Sequence, residues 1–229
     1  VSLLTKDAGL VQATARGAQK MSSRNAGVTR LLSYGRYTLH QGRGNYYIIG
    51  EVEPLHSFFD LHKDIEKLAL AQYFCELCGV LAPREESAED MLRQMLLGLH
   101  YLNGDELSPL LVKCVTEQRL LQLGGYAPDL SACHRCRTSA AQTLYFSPTE
   151  GILQCENCGR LPNSVALPAG VLAALRHIQA ASPQRAYRFT LSAESLATLA
   201  KVSEQFLLYQ LGRGFKTLDF YHSLAAFDA

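Results

Sequence analysis

Four cysteines stand in two Cys-x-x-Cys pairs, Cys133-His-Arg-Cys136 and Cys155-Glu-Asn-Cys158, separated by eighteen residues. Each pair turns two sulfurs to one side of a tight turn, and a hairpin between the pairs brings all four together. Four thiolates at this spacing match a tetrahedral structural zinc site. A four-sulfur shell leaves no position for water, so the chemistry it implies is a staple and not hydrolysis. The alternatives are two disulfides or four unligated thiols. His134 could substitute as a ligand, but the cysteines beside it are better placed. Asn157-Cys158-Gly159 supplies turn chemistry after the second pair, because glycine takes a positive φ without steric cost.

A second chemical signal is a charge pattern. The chain has 22 Lys and Arg against 21 Asp and Glu, for a net charge of +1. Residues 8–50 nevertheless contain no Asp or Glu, where an even spread would put about four. The same window holds Arg16, Lys20, Arg24, Arg30, Arg36 and Arg43, with Tyr34, Tyr37, Tyr46 and Tyr47 among them. Basic side chains neutralise phosphates and aromatic faces stack on unpaired bases, so this composition suits a nucleic-acid surface. The competing reading is tyrosines in a core and arginines on a solvated face; alternation over 34–39 turns some of these rings inward.

Catalytic patterns are scarce. The seven histidines sit in unrelated contexts, and no phosphate-cradling glycine motif is present. Cys75-Glu-Leu-Cys78 has redox spacing but lies within an apolar helical run, where thiols are not activated; lone Cys114 reads the same way. With 48% apolar and 19% charged residues the composition is that of a globular protein. Apolar runs are too short to span a bilayer. The first residues lack a signal-peptide layout, and seven cysteines are an odd number for a disulfide framework, so a reducing cytoplasm is expected.

The elements that must position these groups follow from periodicity. Residues 1–5 and 9–16 read as strands, and 34–40 and 46–52 as a hairpin across a glycine-rich connection. Residues 18–28 read as an exposed basic loop. Such a set suggests a small closed barrel, with an open sheet as the alternative. Val1 itself sits in mid-strand, so something is expected to precede it. Pro54 ends this region and the period turns helical from Asp60 to Pro83. A capping box at Ser87 and Asp90 opens a helix to Asn103, and Ser108-Pro109 opens another closed by Gly124. After the knuckles, helices are expected over 168–181 and 192–211.

Taken together these residues resemble the RecO family of bacterial recombination mediators. The resemblance rests on Leu3-Leu-Thr-Lys-Asp-Ala-Gly-Leu-Val, Ala15-Arg-Gly-Ala-Gln-Lys20, Glu51-Val-Glu-Pro54, Gly125-Tyr-Ala-Pro-Asp-Leu130, Phe146-Ser-Pro-x-x-Gly151 and Leu211-Gly-Arg-Gly-Phe-Lys216-Thr. It implies an α+β multidomain chain. Residues 1–54 would form an OB-fold β-barrel that binds nucleic acid, here lacking its first strand. Residues 55–229 would form an α-helical domain with a four-cysteine zinc ribbon inserted at about 126–165. It further implies a protein that is not an enzyme: one that binds single- and double-stranded DNA, anneals strands and works with RecR to load RecA. The DNA is coated by the single-strand DNA-binding protein, whose acidic C-terminal tail the family also contacts. Arg16 and Lys20 carry over from the family's pattern as phosphate contacts; Arg24, Arg30, Arg36 and Arg43 extend that set by charge alone. The alternative is a zinc-stapled scaffold whose basic face binds an acidic peptide without touching DNA.

Overall fold

The computed structural model describes residues 1–15, 29–42, 44, 46–139 and 141–225. Strands β1 (Ser2–Thr5), β2 (Gly9–Thr14), β3 (Ser33–Gln41) and β4 (Tyr46–Ser57) form one sheet in the order β1-β2-β4-β3. Pairs β1–β2 and β3–β4 are antiparallel, whereas β2 and β4 run parallel. Among the described residues β1 and β3 are the two edges and do not pair. The closed barrel expected from the strand count is therefore corrected to an open four-stranded sheet: closure needs the outer strands to bond to each other, and here they are separated by β2 and β4. Strand β4 also continues through Pro54 to Ser57, still paired with β3, past the point where proline was expected to stop it.

Among the described residues six α-helices follow: α1 (Ile65–Leu81), α2 (Glu89–Asn103), α3 (Pro109–Leu123), α4 (Ala169–Ala180), α5 (Ala193–Leu211) and α6 (Lys216–Ala225). Their ends have local causes. Asp64 caps α1 by accepting from the backbone N–H of Glu66 and Lys67, at 2.9 and 3.1 Å, and Ser108 and Ser192 cap α3 and α5. Gly212 closes α5 in the left-handed conformation. The capping box at Ser87 does not form. Ser87 Oγ donates instead to Lys6 O at 3.1 Å, and α2 begins after Ala88 without a side-chain cap.

Helix α3 runs through the middle of the helical body and is buried on nearly every side, with α1, α2, α4 and α5 around it. It buries Val112, Val115, Leu120 and Leu121, and also Lys113, Thr116, Glu117 and Gln118. Between α3 and α4 lies a second sheet of β5 (Asp129–Cys133), β6 (Leu144–Ser147), β7 (Ile152–Cys155) and β8 (Val165–Leu167), ordered β5-β7-β6-β8. Leu144, Phe146 and Leu153 from this sheet join the helical core, where Phe146 meets Phe206 at 5.8 Å between ring centroids. Polar anchors add to the attachment: Arg176 donates to the carbonyls of Leu130 and Ser131, and Gln210 to that of Thr149.

The N-terminal sheet meets the helices at the β1–β2 turn. Leu10 N donates to Pro83 O, Glu85 N to Ala8 O and Ala88 N to Lys6 O, at 2.9, 3.2 and 2.9 Å. Gly9 makes this approach possible. Its φ is +63°, and a Cβ there would lie 2.0 Å from Pro83 O. Gly9→Ala is therefore expected to lower stability by about 1–3 kcal/mol, through left-handed strain and displacement of the α1–α2 connection. Urea denaturation of the two chains checks this; equal midpoints would contradict it.

Candidate metal centre and nucleic-acid surface

The four cysteines foreseen as ligands come together. Cys133 ends β5, Cys155 ends β7, and Cys136 and Cys158 sit in the turns that follow. All four sulfurs lie within 4.8 Å of one another, and Cys136 Sγ is 3.6 Å from Cys155 Sγ. Metal–sulfur bonds of roughly 2.3 Å in a tetrahedron put the sulfurs roughly 3.8 Å apart, so the donor set fits such an ion with small adjustment. None of the seven cysteines is in a disulfide.

Backbone geometry explains how the turns close. Gly159 follows the second pair at φ +88°, as its place in the sequence suggested, while the matching position after the first pair is Arg137 at φ +61°. Arg137 N donates to Cys133 O at 2.9 Å and His134 N to Leu153 O at 2.8 Å, which ties the first knuckle to β7. The amide of Cys155 donates to Cys133 Sγ at 3.4 Å. Amide donors, led by that of Cys136, lower the pKa of Cys133 and favour its thiolate, the form a metal takes.

Other cysteines are unlike these. Burial pushes the Cys75 thiol up to about 11 and those of Cys78 and Cys114 higher still, so none offers a thiolate near neutral pH.

Of the six basic residues proposed to meet phosphate, Arg16, Lys20, Arg24 and Arg43 lie outside the described residues, as does the whole of the expected basic loop over 18–28. Arg30 is exposed on the turn entering β3. Arg36 is exposed but faces Glu53 of β4, with which it forms an ion pair. An exposed pair of this kind contributes about 0–1 kcal/mol, so phosphate can compete for the arginine. Glu51 and Glu53, just past the acid-free window, are thus carried back beside it by strand pairing. The tyrosines divide: Tyr46 is 61% exposed, while Tyr34, Tyr37 and Tyr47 are half-buried. Burial raises the pKa of Tyr37. Tyr34 and Tyr37 also line a cleft of about 180 Å³ with Pro54, Leu55 and His56.

Sequence reasoning passed over one cluster altogether. Lys113 Nζ lies 2.7 Å from Glu117 Oε1 and 2.8 Å from Glu204 Oε2, with Lys113 and Glu117 fully buried. Glu204 in turn meets His222 Nε2 of α6 at 2.9 Å. A Lys and Glu four apart on a helix look like an ordinary solvated pair, and only the all-round burial of α3 sets them apart.

Comparison with known proteins covers both halves of the chain. Residues 1–58 match the family model described as Recombination protein O N terminal, and residues 62–219 match Recombination protein O C terminal. A protein named DNA repair protein RecO from Acetivibrio thermocellus is 28% identical over 227 residues, spanning 98% of this chain and 89% of its own length. Its namesake from Symbiobacterium thermophilum is 30% identical over 228 residues, spanning 98% and 90%. One from Dehalococcoides mccartyi is 31% identical over 230 residues, spanning 100% and 90%.

Proposed function

Since this chain belongs to the RecO family of DNA repair proteins, we propose that it is a DNA-binding recombination mediator and not an enzyme. In this reading it binds single- and double-stranded DNA and anneals complementary strands. With RecR it loads RecA onto DNA coated by the single-strand DNA-binding protein, touching that protein's acidic C-terminal tail. It works in the cytoplasm, where seven unpaired cysteines are stable. No described helix is long and apolar enough to cross a membrane.

The observation that carries the DNA reading is the 8–50 window, where six basic residues accompany no carboxylate. Arg16, Lys20, Arg24, Arg30, Arg36 and Arg43 supply charge toward phosphates, and Tyr46 supplies an exposed ring on which a base can stack. Changing Arg16, Lys20 and Arg24 together to Ala is expected to weaken single-strand binding and to flatten the salt dependence by about 2 units of slope, at roughly 0.7 per lost phosphate contact. An unchanged slope would reject those three contacts. Parallel binding of an acidic peptide separates this reading from the protein-scaffold alternative, which predicts peptide binding without DNA binding.

Cys133, Cys136, Cys155 and Cys158 are proposed to hold one structural zinc ion. Four sulfur donors suit zinc, and when bound it supplies cross-linking and no open coordination site. The protein's own contribution is to present four thiolates from two turns that the β5–β7 pairing has already set side by side.

A further inference from the structure

The four sulfurs are not equally placed. Cys133 and Cys155 are 0% and 1% exposed, whereas Cys136 is exposed and Cys158 half-buried. The cause is architectural. The two buried cysteines end strands that pack on the helical body, and the other two occupy the outward turns. Metal coordination would keep all four as thiolates, so reactivity toward a small oxidant is decided by access. The outward turns are adjacent: Arg135 Nη1 donates to Cys158 O at 3.4 Å, and the whole sulfur set lies within 4.8 Å. A bond between Cys136 and Cys158 therefore requires movement of two turns and no strand. Cys155 is nearer to Cys136, at 3.6 Å, but it is held in the β6–β7 ladder opposite Leu144.

We propose that Cys136 and Cys158 are a thiol-modification site, oxidised by hydrogen peroxide to a disulfide that bridges the two knuckles and strips the metal of two ligands. This rests on the four-thiolate reading above. The Cys136 thiolate attacks the peroxide and breaks its O–O bond, giving a sulfenic acid and hydroxide. The Cys158 thiolate then attacks that sulfur, the S–O bond breaks, and a second hydroxide leaves. Two thiolates lose two electrons, the peroxide gains them, and two protons from solvent convert both hydroxides to water. A two-thiolate shell from Cys133 and Cys155 no longer closes around the ion, which passes to solvent. Because those two sulfurs stay buried they are spared, and a dithiol reductant with added zinc returns the site to its starting state.

The test uses the zinc-loaded full chain, hydrogen peroxide in graded doses, alkylation of free thiols and peptide mapping, with released zinc read by a chromogenic chelator. The expected first product is the Cys136–Cys158 disulfide with one zinc released per bond, while Cys133 and Cys155 accept the alkylating reagent once the chain is denatured. A first disulfide that includes Cys133 or Cys155, or zinc release without the Cys136–Cys158 bond, overturns the proposal. So does resistance of all four thiols at doses that oxidise a free cysteine standard treated in parallel. If the chain purified under reducing conditions holds no zinc, the metal reading fails on its own. The order of oxidation in that metal-free chain then decides the thiol claim, with the same bond expected first.

Discussion

Lys113→Met is expected to destabilise the protein by about 3–5 kcal/mol, because it strands a buried carboxylate. Burial alone would lower the pKa of the Lys113 ammonium, but Glu117 and Glu204 outweigh it and hold the group well above the ordinary lysine range. Burial raises the pKa of Glu117, against the pull of Lys113. Without the lysine that restraint is gone and Glu117 is pushed further toward its neutral form. A carboxyl whose folded pKa exceeds its unfolded value binds more protons when folded. The variant's stability should therefore be greatest below the unfolded value near about 4.3 and fall as pH rises through the raised folded value. Replacing Glu117 by Leu in the same chain should recover most of the loss, since an apolar pair can fill a site of this kind at little cost. Urea denaturation across pH checks both. A wild-type-like midpoint for Lys113→Met would show that Lys113 neither neutralises Glu117 nor holds α3 to α5 through Glu204.

The second large effect is removal of the proposed zinc. With free zinc at 1,000 times the dissociation constant, an ion held there would stabilise the folded chain by about 4 kcal/mol, and Cys155→Ser should forfeit that contribution. The loss should fall on the ribbon. Small zinc domains unfold without their ion, but here Leu144, Phe146 and Leu153 belong to the main core and Arg176 and Gln210 fasten the ribbon to α4 and α5. Far-UV circular dichroism should keep its helical signal after chelation, while amide exchange accelerates at Cys133, His134 and Cys155. Loss of the helical signal together with the metal would contradict this division.

The parts of the fold legible in the sequence were those with local causes. Ser108-Pro109, Ser192 and Gly212 mark helix ends because capping is settled within one turn, and the two knuckles fix the ribbon because metal spacing is a local constraint. What depended on distant pairing was not legible. Among the described residues the sheet stays open because its outer strands β1 and β3 do not pair, and the acid-free window acquires Glu53 as a neighbour because β4 folds back on β3. Ser87 had the right spacing for a cap but donates to Lys6 O where the N-terminal sheet meets the helices.

Helix α6 was missed although it has a pattern. Phe215, Leu218 and Tyr221 recur at helical spacing and are buried, but ten residues after two glycines give a weak periodic signal. Its attachment is tertiary: Thr217 donates its amide and hydroxyl to Glu76 at 3.2 and 2.6 Å, and His222 reaches Glu204. The short strands β5 and β8 escaped for a related reason, since three to five residues carry little alternation of their own.

The proposed function has this chain meet DNA phosphates through basic side chains concentrated in its first fifty residues. Its most direct test is the affinity of the intact protein for a single-stranded oligonucleotide of mixed sequence, measured from low to physiological salt. Six basic contacts predict a straight line of log affinity against log salt with a slope of about −4. Binding that is absent at low salt, or present with a slope near zero, would contradict it.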